Sequence, residues 1–358
     1  MGKRIIILGG DGVGPEVSEV ASNILEHMQL GFEIVKPPCG EAALQDLGTG
    51  FPDETRKLCE EADAILFGAA GRASVQILNW LRWGLDNWVN IRPIKYYPGA
   101  ATPLKDALGI DFVIVRENSE GVYPPGREGE ISQLAEKWPE WRDTLLGKSF
   151  KDYGEGKFAI RIITNHGVDR IMKFACEYTQ RRKDSGYAGK LTCVTKSNVL
   201  PETCGLFQKG AEQEIKRYQD LEYDHYYIDD TARRLLRYPK EMDVIVTSNM
   251  FGDILADEAS ELVGGLGLAP SACLGGKTPY FEPVHGSAPK YANQNVINPT
   301  AMILSAKMLL EHLGMEDEAN ALEKAVADVY IEGTTLTKDQ GGRATTKDFG
   351  KAVMEKLR

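Results

Sequence analysis

The sequence lacks an excess of basic residues, a long apolar run and any closely paired cysteines. Its 42 lysines and arginines face 52 aspartates and glutamates, and the net charge of −10 argues against nucleic acid or an anionic membrane as a partner. No stretch approaches membrane-spanning length, and the apolar run at residues 5–8 is too short for a signal peptide. We therefore expect a cytoplasmic protein.

The six cysteines are scattered and form no CxxC pair. This pattern favours free thiols in a reducing compartment over a disulfide framework or a zinc site. The length of 358 residues is enough for two domains or one large divided domain, and the sequence shows no repeat.

Short apolar segments alternate with amphipathic ones along the chain, which predicts an α/β fold with a parallel, helix-covered sheet. Strands are predicted at residues 3–8, 62–68, 112–115, 158–164, 191–194 and 242–246, helices at 17–30, 168–178 and 301–313, and a further helix beginning at 226–230. The glycine loop at 9–16 is a weak match to a dinucleotide-binding fingerprint, because its spacing is wrong and Pro15 opens the following helix. Residues 124–157 look irregular and are interpreted as an arm.

Two aspartates follow the predicted strand at 242–246. Asp253 and Asp257 are four residues apart and would share one face of a helix. Paired carboxylates at the carboxyl end of a strand can hold a hard divalent cation. The alternative is an acid-rich helix start that is favoured by the helix dipole.

Three arginines lie between residues 79 and 123: Arg82, Arg92 and Arg116. Guanidinium groups bind carboxylates in bidentate fashion, so together they fit a substrate that carries two or more carboxylates. Each arginine taken singly could be an ordinary surface residue. Lys196 ends another predicted strand, where burial or cationic neighbours could lower its pKa and make it a proton acceptor.

Six motifs in order resemble the β-decarboxylating dehydrogenases of isocitrate and 3-isopropylmalate: GDGVGPEV, IRPIKYYPG, VRENSEGVY, TKSN, FGDILADEAS and EPVHGSAP. The resemblance covers nearly the whole chain. It implies an isopropylmalate-dehydrogenase-like two-domain α/β fold with a helix-covered sheet, and not an ordinary Rossmann fold. It also implies a large cofactor-side domain (1–97 plus 250–358) and a small domain (98–249) with the dimerisation elements and an arm at 124–157.

The resemblance further implies a role for each matching residue. The three arginines would bind the substrate's carboxylates, Tyr123 would protonate the enol and Lys196 would accept the hydroxyl proton. Mg²⁺ or Mn²⁺ would be held by Asp229, Asp253 and Asp257, with Lys196 and Asp229 reaching in from the neighbouring subunit of a homodimer. The reaction would be the metal-dependent, NAD(P)-linked oxidative decarboxylation of a (2R)-2-hydroxy acid that carries a 3-carboxylate.

The substrate's third substituent would meet Val75, Gln76, Leu78 and Asn79. This set mixes apolar and hydrogen-bonding groups, and the loop at 68–82 is shorter than expected for the family. A malate derivative of the 3-isopropylmalate or malate/tartrate type is favoured, and isocitrate or homoisocitrate is the alternative.

The cofactor residues implied by the resemblance are His285, Gly286, Ser287, Ala288, Lys290, Tyr291 and Asn298. Members that use NAD carry an aspartate where this chain has Lys290, and a lysine would attract a 2′-phosphate. The sequence therefore favours NADP, although a tyrosine and an arginine of the NADP-linked enzymes are replaced by Lys338 and Gly342. The alternative is a solvated Lys290 in an enzyme that uses NAD as well.

Two alternatives lack catalysis. A regulatory subunit, which the family is known to contain, should lack the catalytic lysine, the tyrosine or an aspartate, yet this chain retains Lys196, Tyr123 and all three aspartates. A simple carboxylate-binding protein would leave Lys196 and Tyr123 unexplained.

Overall fold

The computed structural model of the chain describes residues 2–357, which form twelve β-strands and twelve α-helices. The strands are β1 Arg4–Gly10, β2 Glu33–Val35, β3 Ala64–Ala69, β4 Val89–Lys95, β5 Asp111–Glu117, β6 Glu128–Glu130, β7 Lys157–Ala159, β8 Lys190–Thr195, β9 Glu222–Tyr227, β10 Val244–Thr247, β11 Pro270–Leu274 and β12 Tyr280–Pro283. The helices are α1 Gly14–His27, α2 Gly40–Leu47, α3 Asp53–Glu60, α4 Val75–Asn79, α5 Ile131–Lys137, α6 Asn165–Asp184, α7 Thr203–Glu214, α8 Ile228–Arg237, α9 Asn249–Val263, α10 Thr300–His312, α11 Glu316–Glu332 and α12 Thr346–Lys356.

Ten strands form one sheet in the order β2-β1-β3-β12-β11-β4-β5-β10-β8-β9. Most neighbours are parallel, but β11 runs antiparallel to both β12 and β4, and β4 runs antiparallel to β5. Helices α1, α6, α7 and α10 pack on one face of the sheet, and α9 packs on the other. The predicted helix-covered α/β sheet is confirmed, with antiparallel strands at its centre.

The predicted two-domain division stays a prediction, but the strand order agrees with it. Strands from residues 1–97 and 250–358 occupy one side of the sheet, and strands from 98–249 occupy the other. The two sides meet where β4 pairs with β5. None of the helices in residues 2–357 is long and apolar enough to cross a membrane.

The first glycine loop packs against the loop that follows β12. Gly12 has φ of +60°, and a Cβ at this position would lie 1.9 Å from the carbonyl oxygen of Ser287. The amide of Val13 donates to the same carbonyl at 2.9 Å. Glycine is therefore required here for close backbone approach and for the left-handed conformation.

Three local predictions need correction. The strand predicted at 158–164 is limited to β7, which pairs antiparallel with β6. The helix predicted to begin at 226–230 is α8, which starts at Ile228, because Tyr226 and Tyr227 still belong to β9. The arm is not irregular throughout, since it contains β6 and α5 and the rings of Trp141 and Phe150 stack 4.1 Å apart. Strand β9 was missed because its edge position leaves it polar and incompletely buried.

Candidate active site

The candidate site lies where β5, β10, β8 and β9 end at one edge of the sheet. Thr247 of β10 is in register with Arg116 of β5 and with Val194 of β8. Thr195 of β8 is in register with Tyr227 of β9. These strands are parallel, so the residues at or just after their carboxyl ends gather at the usual ligand-binding edge of an α/β sheet.

Two of the predicted substrate arginines lie side by side and are almost fully buried. Arg92 and Arg116 are 5% and 1% exposed. Nε of Arg92 donates to Oδ1 of Asn90 at 2.9 Å, and Nε and Nη2 of Arg116 donate to Oδ1 of Asn249 at 3.1 and 2.6 Å. Burial, with repulsion from Arg92 and Arg82, lowers the pKa of Arg116. Concentrated positive charge of this kind attracts an anion.

The third arginine comes from a π-helical turn, Trp80–Gly84, that continues α4. In this turn the amide of Leu85 donates to the carbonyl of Trp80 at 2.9 Å. Arg82 is buried, and its Nη2 lies 3.8 Å from Oε1 of the buried Glu282. π-Helical turns are frequent at functional sites, where they redirect a side chain.

Asp253 connects the arginines to the predicted proton donor. It lies one turn into α9, and its Oδ1 is 3.1 Å from Nη1 of Arg92 and also contacts Nη1 of Arg116. Its Oδ2 accepts a hydrogen bond from the Tyr123 hydroxyl at 3.0 Å. Although burial alone would raise it, attraction to Arg116 and Arg92 holds the pKa of Asp253 below its usual value.

Asp257 lies on the same side of α9, with Oδ1 3.9 Å from Nη1 of Arg92. Burial, together with repulsion from Asp253, raises the pKa of its carboxyl against the opposing effect of Arg92. Two neighbouring carboxylates that repel each other form a donor set that a divalent cation would stabilise.

Lys196 and Asp229 form a separate pair on the loops after β8 and β9. Nζ of Lys196 donates to Oδ1 of Asp229, and this interaction lowers the pKa of the aspartate. Within residues 2–357 no group of three metal-ligating side chains converges. One chain thus brings together Asp253 and Asp257 but not Asp229, and a third ligand from a second chain stays a prediction.

Most of the predicted cofactor residues surround a cleft of about 660 Å³. Its lining includes His285, Gly286, Ala288, Tyr291, Asn298, Lys338 and Asp339. Ser287 and Lys290 lie beside this cleft, and Nζ of Lys290 is 4.8 Å from the centre of the Tyr291 ring. The Nε2 atom of His285 is buried and has no hydrogen-bond partner among the described residues, and burial lowers the pKa of this imidazole. The imidazole of His285 thus forms part of the wall of a cleft of the size that small-molecule ligands occupy.

The helix before Arg82 carries the residues predicted to meet the third substituent. Val75, Leu78 and Asn79 follow helical spacing and share one face of α4. Gln76 is exposed and lies towards Gly50, where an added Cβ would be 3.4 Å from its Nε2. With Gln76 on another side of the helix, Asn79 is the one hydrogen-bonding side chain on the face that Val75 and Leu78 share with it.

Sequence reasoning missed four polar residues at these sites: Asn90, Asn249, Glu282 and Asp339. Asn90 could have been found from its spacing, because residues two apart in a strand share a face and Arg92 is two positions further on. Asn249 is likewise one helical turn before Asp253. Asp339 lies in the cofactor cleft, where its carboxylate accepts hydrogen bonds from Asn298 at 3.0 Å and from Gln340 at 2.9 Å.

Comparison with known proteins identifies the family. The profile of the isocitrate/isopropylmalate dehydrogenase family matches residues 4–353. The chain belongs to this family. It is 41% identical over 355 residues to the 3-isopropylmalate/3-methylmalate dehydrogenase of Methanocaldococcus jannaschii, with 99% of each chain covered. It is 38% identical to the homoisocitrate dehydrogenase of the same organism, with 99% of this chain and 98% of the relative covered.

A solved structure agrees with the sequence comparison. The isocitrate dehydrogenase of Methylococcus capsulatus superimposes with a TM-score of 0.85 at 32% identity, and 99% of each chain is covered. The predicted family, fold class and enzyme class are confirmed: the chain is a decarboxylating dehydrogenase.

Proposed function

We propose that this enzyme catalyses the metal-dependent, NAD(P)-linked oxidative decarboxylation of a (2R)-2-hydroxy acid with a 3-carboxylate. The observation that carries the proposal is the contact of Asp253 with Arg92, Arg116 and Tyr123. It joins a carboxylate-binding pair of arginines, a metal-ligand candidate and a proton donor in one cluster. The family and its dehydrogenase relatives support the reaction class.

The arginines would orient the substrate. Arg92 and Arg116 could bind its carboxylates, and Asp253 contacts both guanidinium groups. Mg²⁺ or Mn²⁺ held by Asp253, Asp257 and the partner's Asp229 would act as a Lewis acid towards the substrate's oxygens, and the nicotinamide would accept the C2 hydride. Fixing the hydroxy acid in one geometry would account for much of the rate.

Two side chains would move protons. Lys196 of the second subunit would accept the hydroxyl proton, directly or through water, as hydride leaves C2. After the 3-carboxylate leaves as CO₂, Tyr123 would protonate C3 of the enol. Burial and the neighbouring Asp253 raise the pKa of the Tyr123 phenol, so it keeps its proton at neutral pH.

The preferred substrate is a 3-alkylmalate or malate itself. The face formed by Val75, Leu78 and Asn79 supports this choice, because Leu78 offers an apolar wall and Gln76 lies towards Gly50. The name of the Methanocaldococcus relative, 3-isopropylmalate/3-methylmalate dehydrogenase, also supports it. Isocitrate and homoisocitrate are the alternative, because relatives with those names are nearly as similar. One methylene in such a pocket changes binding by only ~1–3 kcal/mol.

The test is a substrate screen of purified enzyme with Mn²⁺ and either NAD or NADP. Malate, tartrate, 3-methylmalate, 3-isopropylmalate, isocitrate and homoisocitrate are compared by kcat/KM, following the absorbance of the reduced nicotinamide. A malate or 3-alkylmalate should rank first. A strong preference for isocitrate or homoisocitrate would reverse the ordering, and a lack of turnover with all six would contradict the proposed reaction.

A further inference from the structure

We infer that Asn90 and Asn249 are positioning residues that hold Arg92 and Arg116 through neutral oxygens, so that both positive charges stay available to the substrate's carboxylates. The inference rests on the proposed function, since it concerns the arginines of its substrate site. It adds a requirement on charge: the buried acceptor that holds each guanidinium must be a neutral amide and not a carboxylate.

The two asparagines have the same relation to their arginines. Oδ1 of Asn90 accepts from Nε of Arg92, and Oδ1 of Asn249 accepts from Nε and Nη2 of Arg116. Both asparagines are 0% exposed. Each amide oxygen thus fixes the buried side of a guanidinium.

The fold dictates both placements. In the antiparallel pairing of β4 with β5, Asn90 lies directly opposite Arg116 and shares a sheet face with Arg92. Asn249 is the first residue of α9, which lies close to Arg116: a Cβ at Gly252 would be 2.8 Å from Cβ of Arg116.

The remaining hydrogen bonds fix the orientation of each amide. Nδ2 of Asn90 donates to Sγ of Cys273 at 2.8 Å, and Nδ2 of Asn249 donates to the carbonyl of Glu120 at 3.0 Å. Because an amide nitrogen can only donate, these partners turn both amide oxygens towards the arginines.

The charge argument follows from burial. A buried guanidinium usually pairs with a carboxylate, which compensates for its desolvation and neutralises its charge. Behind Arg92 and Arg116 the fixed acceptors are neutral. The carboxylate that both guanidinium groups contact is Asp253, the proposed metal ligand, whose side chain is 34% exposed. A further carboxylate in place of either asparagine would cancel more of the positive charge that is needed to bind the substrate's carboxylates.

The isosteric change Asn90→Asp tests the inference, because it keeps an acceptor oxygen near Arg92 and adds a negative charge. Malate is used as the probe, and its Kd is measured by calorimetry in the presence of Mn²⁺. We expect malate binding to weaken by at least about tenfold, with no fall in the thermal unfolding midpoint and no change in cofactor KM. Asn320→Asp, an exposed change on α11, is the control and should match the wild type.

A merely structural role for Asn90 predicts the opposite pattern: a lower unfolding midpoint with unchanged malate affinity. That result would overturn the inference. Suppose that the wild type binds malate and that Asn90→Asp weakens this binding as expected, but that the substrate screen finds no turnover. The proposed reaction then fails and the charge argument stands. If the wild type binds no malate, the inference is overturned, whereas the proposed reaction is decided by the substrate screen.

A double-mutant cycle provides a second test should Asn90→Asp fail to fold. Asn249→Ala is combined with Arg116→Ala, and malate affinity is measured for all four proteins. If Asn249 acts through Arg116, its removal weakens binding in the wild type but changes little once Arg116 is absent. Equal losses in the two backgrounds would contradict a positioning role.

Discussion

The hydroxyl of Tyr123 lies 3.0 Å from Oδ2 of Asp253, so a hydrogen bond joins the predicted proton donor to a predicted metal ligand. The ring of Tyr123 also lies 5.5 Å from Cζ of Arg116. The phenol is thus held between a carboxylate and a guanidinium group at the mouth of the proposed substrate site. This arrangement restricts its orientation before any substrate binds.

Tyr123→Phe should therefore lower kcat while leaving substrate KM nearly unchanged. The ring and its packing are retained, and only the proton is lost, which for general acid catalysis costs ~10²–10⁴-fold in rate. Steady-state kinetics with the preferred substrate provide the measurement. Tyr153→Phe is the matched control, because its hydroxyl also bonds an aspartate, Asp143 at 3.1 Å, but lies on the arm. A wild-type kcat in Tyr123→Phe would exclude this tyrosine as the proton donor.

Removal of the metal should abolish turnover, and Asp253→Asn should have the same effect. The substitution keeps the size of the side chain but removes a charged oxygen ligand and the partner of two arginines. Activity is measured after chelation with EDTA and on restoring Mn²⁺, and Mn²⁺ affinity is measured by calorimetry. Asp46→Asn, an exposed change on α2, is the control and should bind Mn²⁺ like the wild type. Full activity in excess EDTA would rule out a metal requirement.

Mixing two inactive variants should restore activity if the site is shared between subunits. A hybrid of Lys196→Ala and Tyr123→Phe chains would contain one site with both groups intact. Random exchange makes half of the dimers hybrids, so recovery should approach roughly a quarter of wild-type activity. Exchange is monitored with an affinity tag on one variant.

The control for this experiment mixes Lys196→Ala with Asp229→Ala. These two side chains already contact each other within one chain, so every site in the hybrid lacks one of them and no activity should return. Demonstrated exchange without recovery in the first mixture would mean that each site is built from a single chain.

The sequence predicted the elements whose apolar pattern is strong. Strands β1, β3, β5, β8 and β10 are buried strands with nearly continuous apolar runs, as burial on both faces requires. Strand β11 was missed because it begins with proline and consists mostly of small residues, and α11 was not recognised. Their placement depends on tertiary packing, which local propensity does not encode.

The residues of the candidate site also divide into those that the sequence predicts and those that depend on tertiary structure. Charged residues within recognisable motifs, such as Asp253 and Lys196, could be predicted from the sequence. Spacing places Asn90 on the face of Arg92 and Asn249 one turn before Asp253, but their roles could not be predicted, because a neutral amide is a common residue and its importance here depends on which arginine it contacts. That contact arises from the register of β4 against β5 and from the position of α9, both of which are long-range features.

A partly buried ion-pair network around Glu323 should make stability sensitive to acid. Glu323 accepts from Lys95 at 2.6 Å and from the hydroxyl of Tyr97 at 3.0 Å, and lies 3.0 Å from Nζ of Lys307. Although burial opposes ionisation, Lys307 and Lys95 lower the pKa of Glu323 from 4.5 to about 2. The ionised Glu323 therefore contributes its full stabilisation, ~3 kcal/mol, above its ordinary pKa. This stabilisation is lost as the pH falls towards 2.

Glu323→Gln should consequently destabilise the protein near neutral pH and much less in strong acid. The free energy of unfolding is measured by denaturant titration at several pH values, and the wild-type and variant curves should converge as the pH falls. Asp317→Asn, an exposed change on the same helix, serves as the control and should leave the curve unchanged. If the free energies of unfolding of the wild type and the variant differ by the same amount at every pH, packing and not the ionisation of Glu323 accounts for the lost stability.

The last prediction concerns cofactor choice, for which the cleft carries charges of both signs. Lys338 and Tyr291 line it and Lys290 lies against Tyr291, which favours the 2′-phosphate of NADP; Asp339 would repel that phosphate. We expect NADP to be preferred, and Lys290→Asp to lower the NADP:NAD ratio of kcat/KM at least tenfold, about 1.4 kcal/mol. Asp339→Asn should shift the ratio in the opposite direction, while Lys105→Asp, an exposed lysine outside the cleft, should leave it unchanged. Kinetics with both cofactors decide the matter, because a ratio that is the same in Lys290→Asp and the wild type would show that Lys290 does not contact the phosphate.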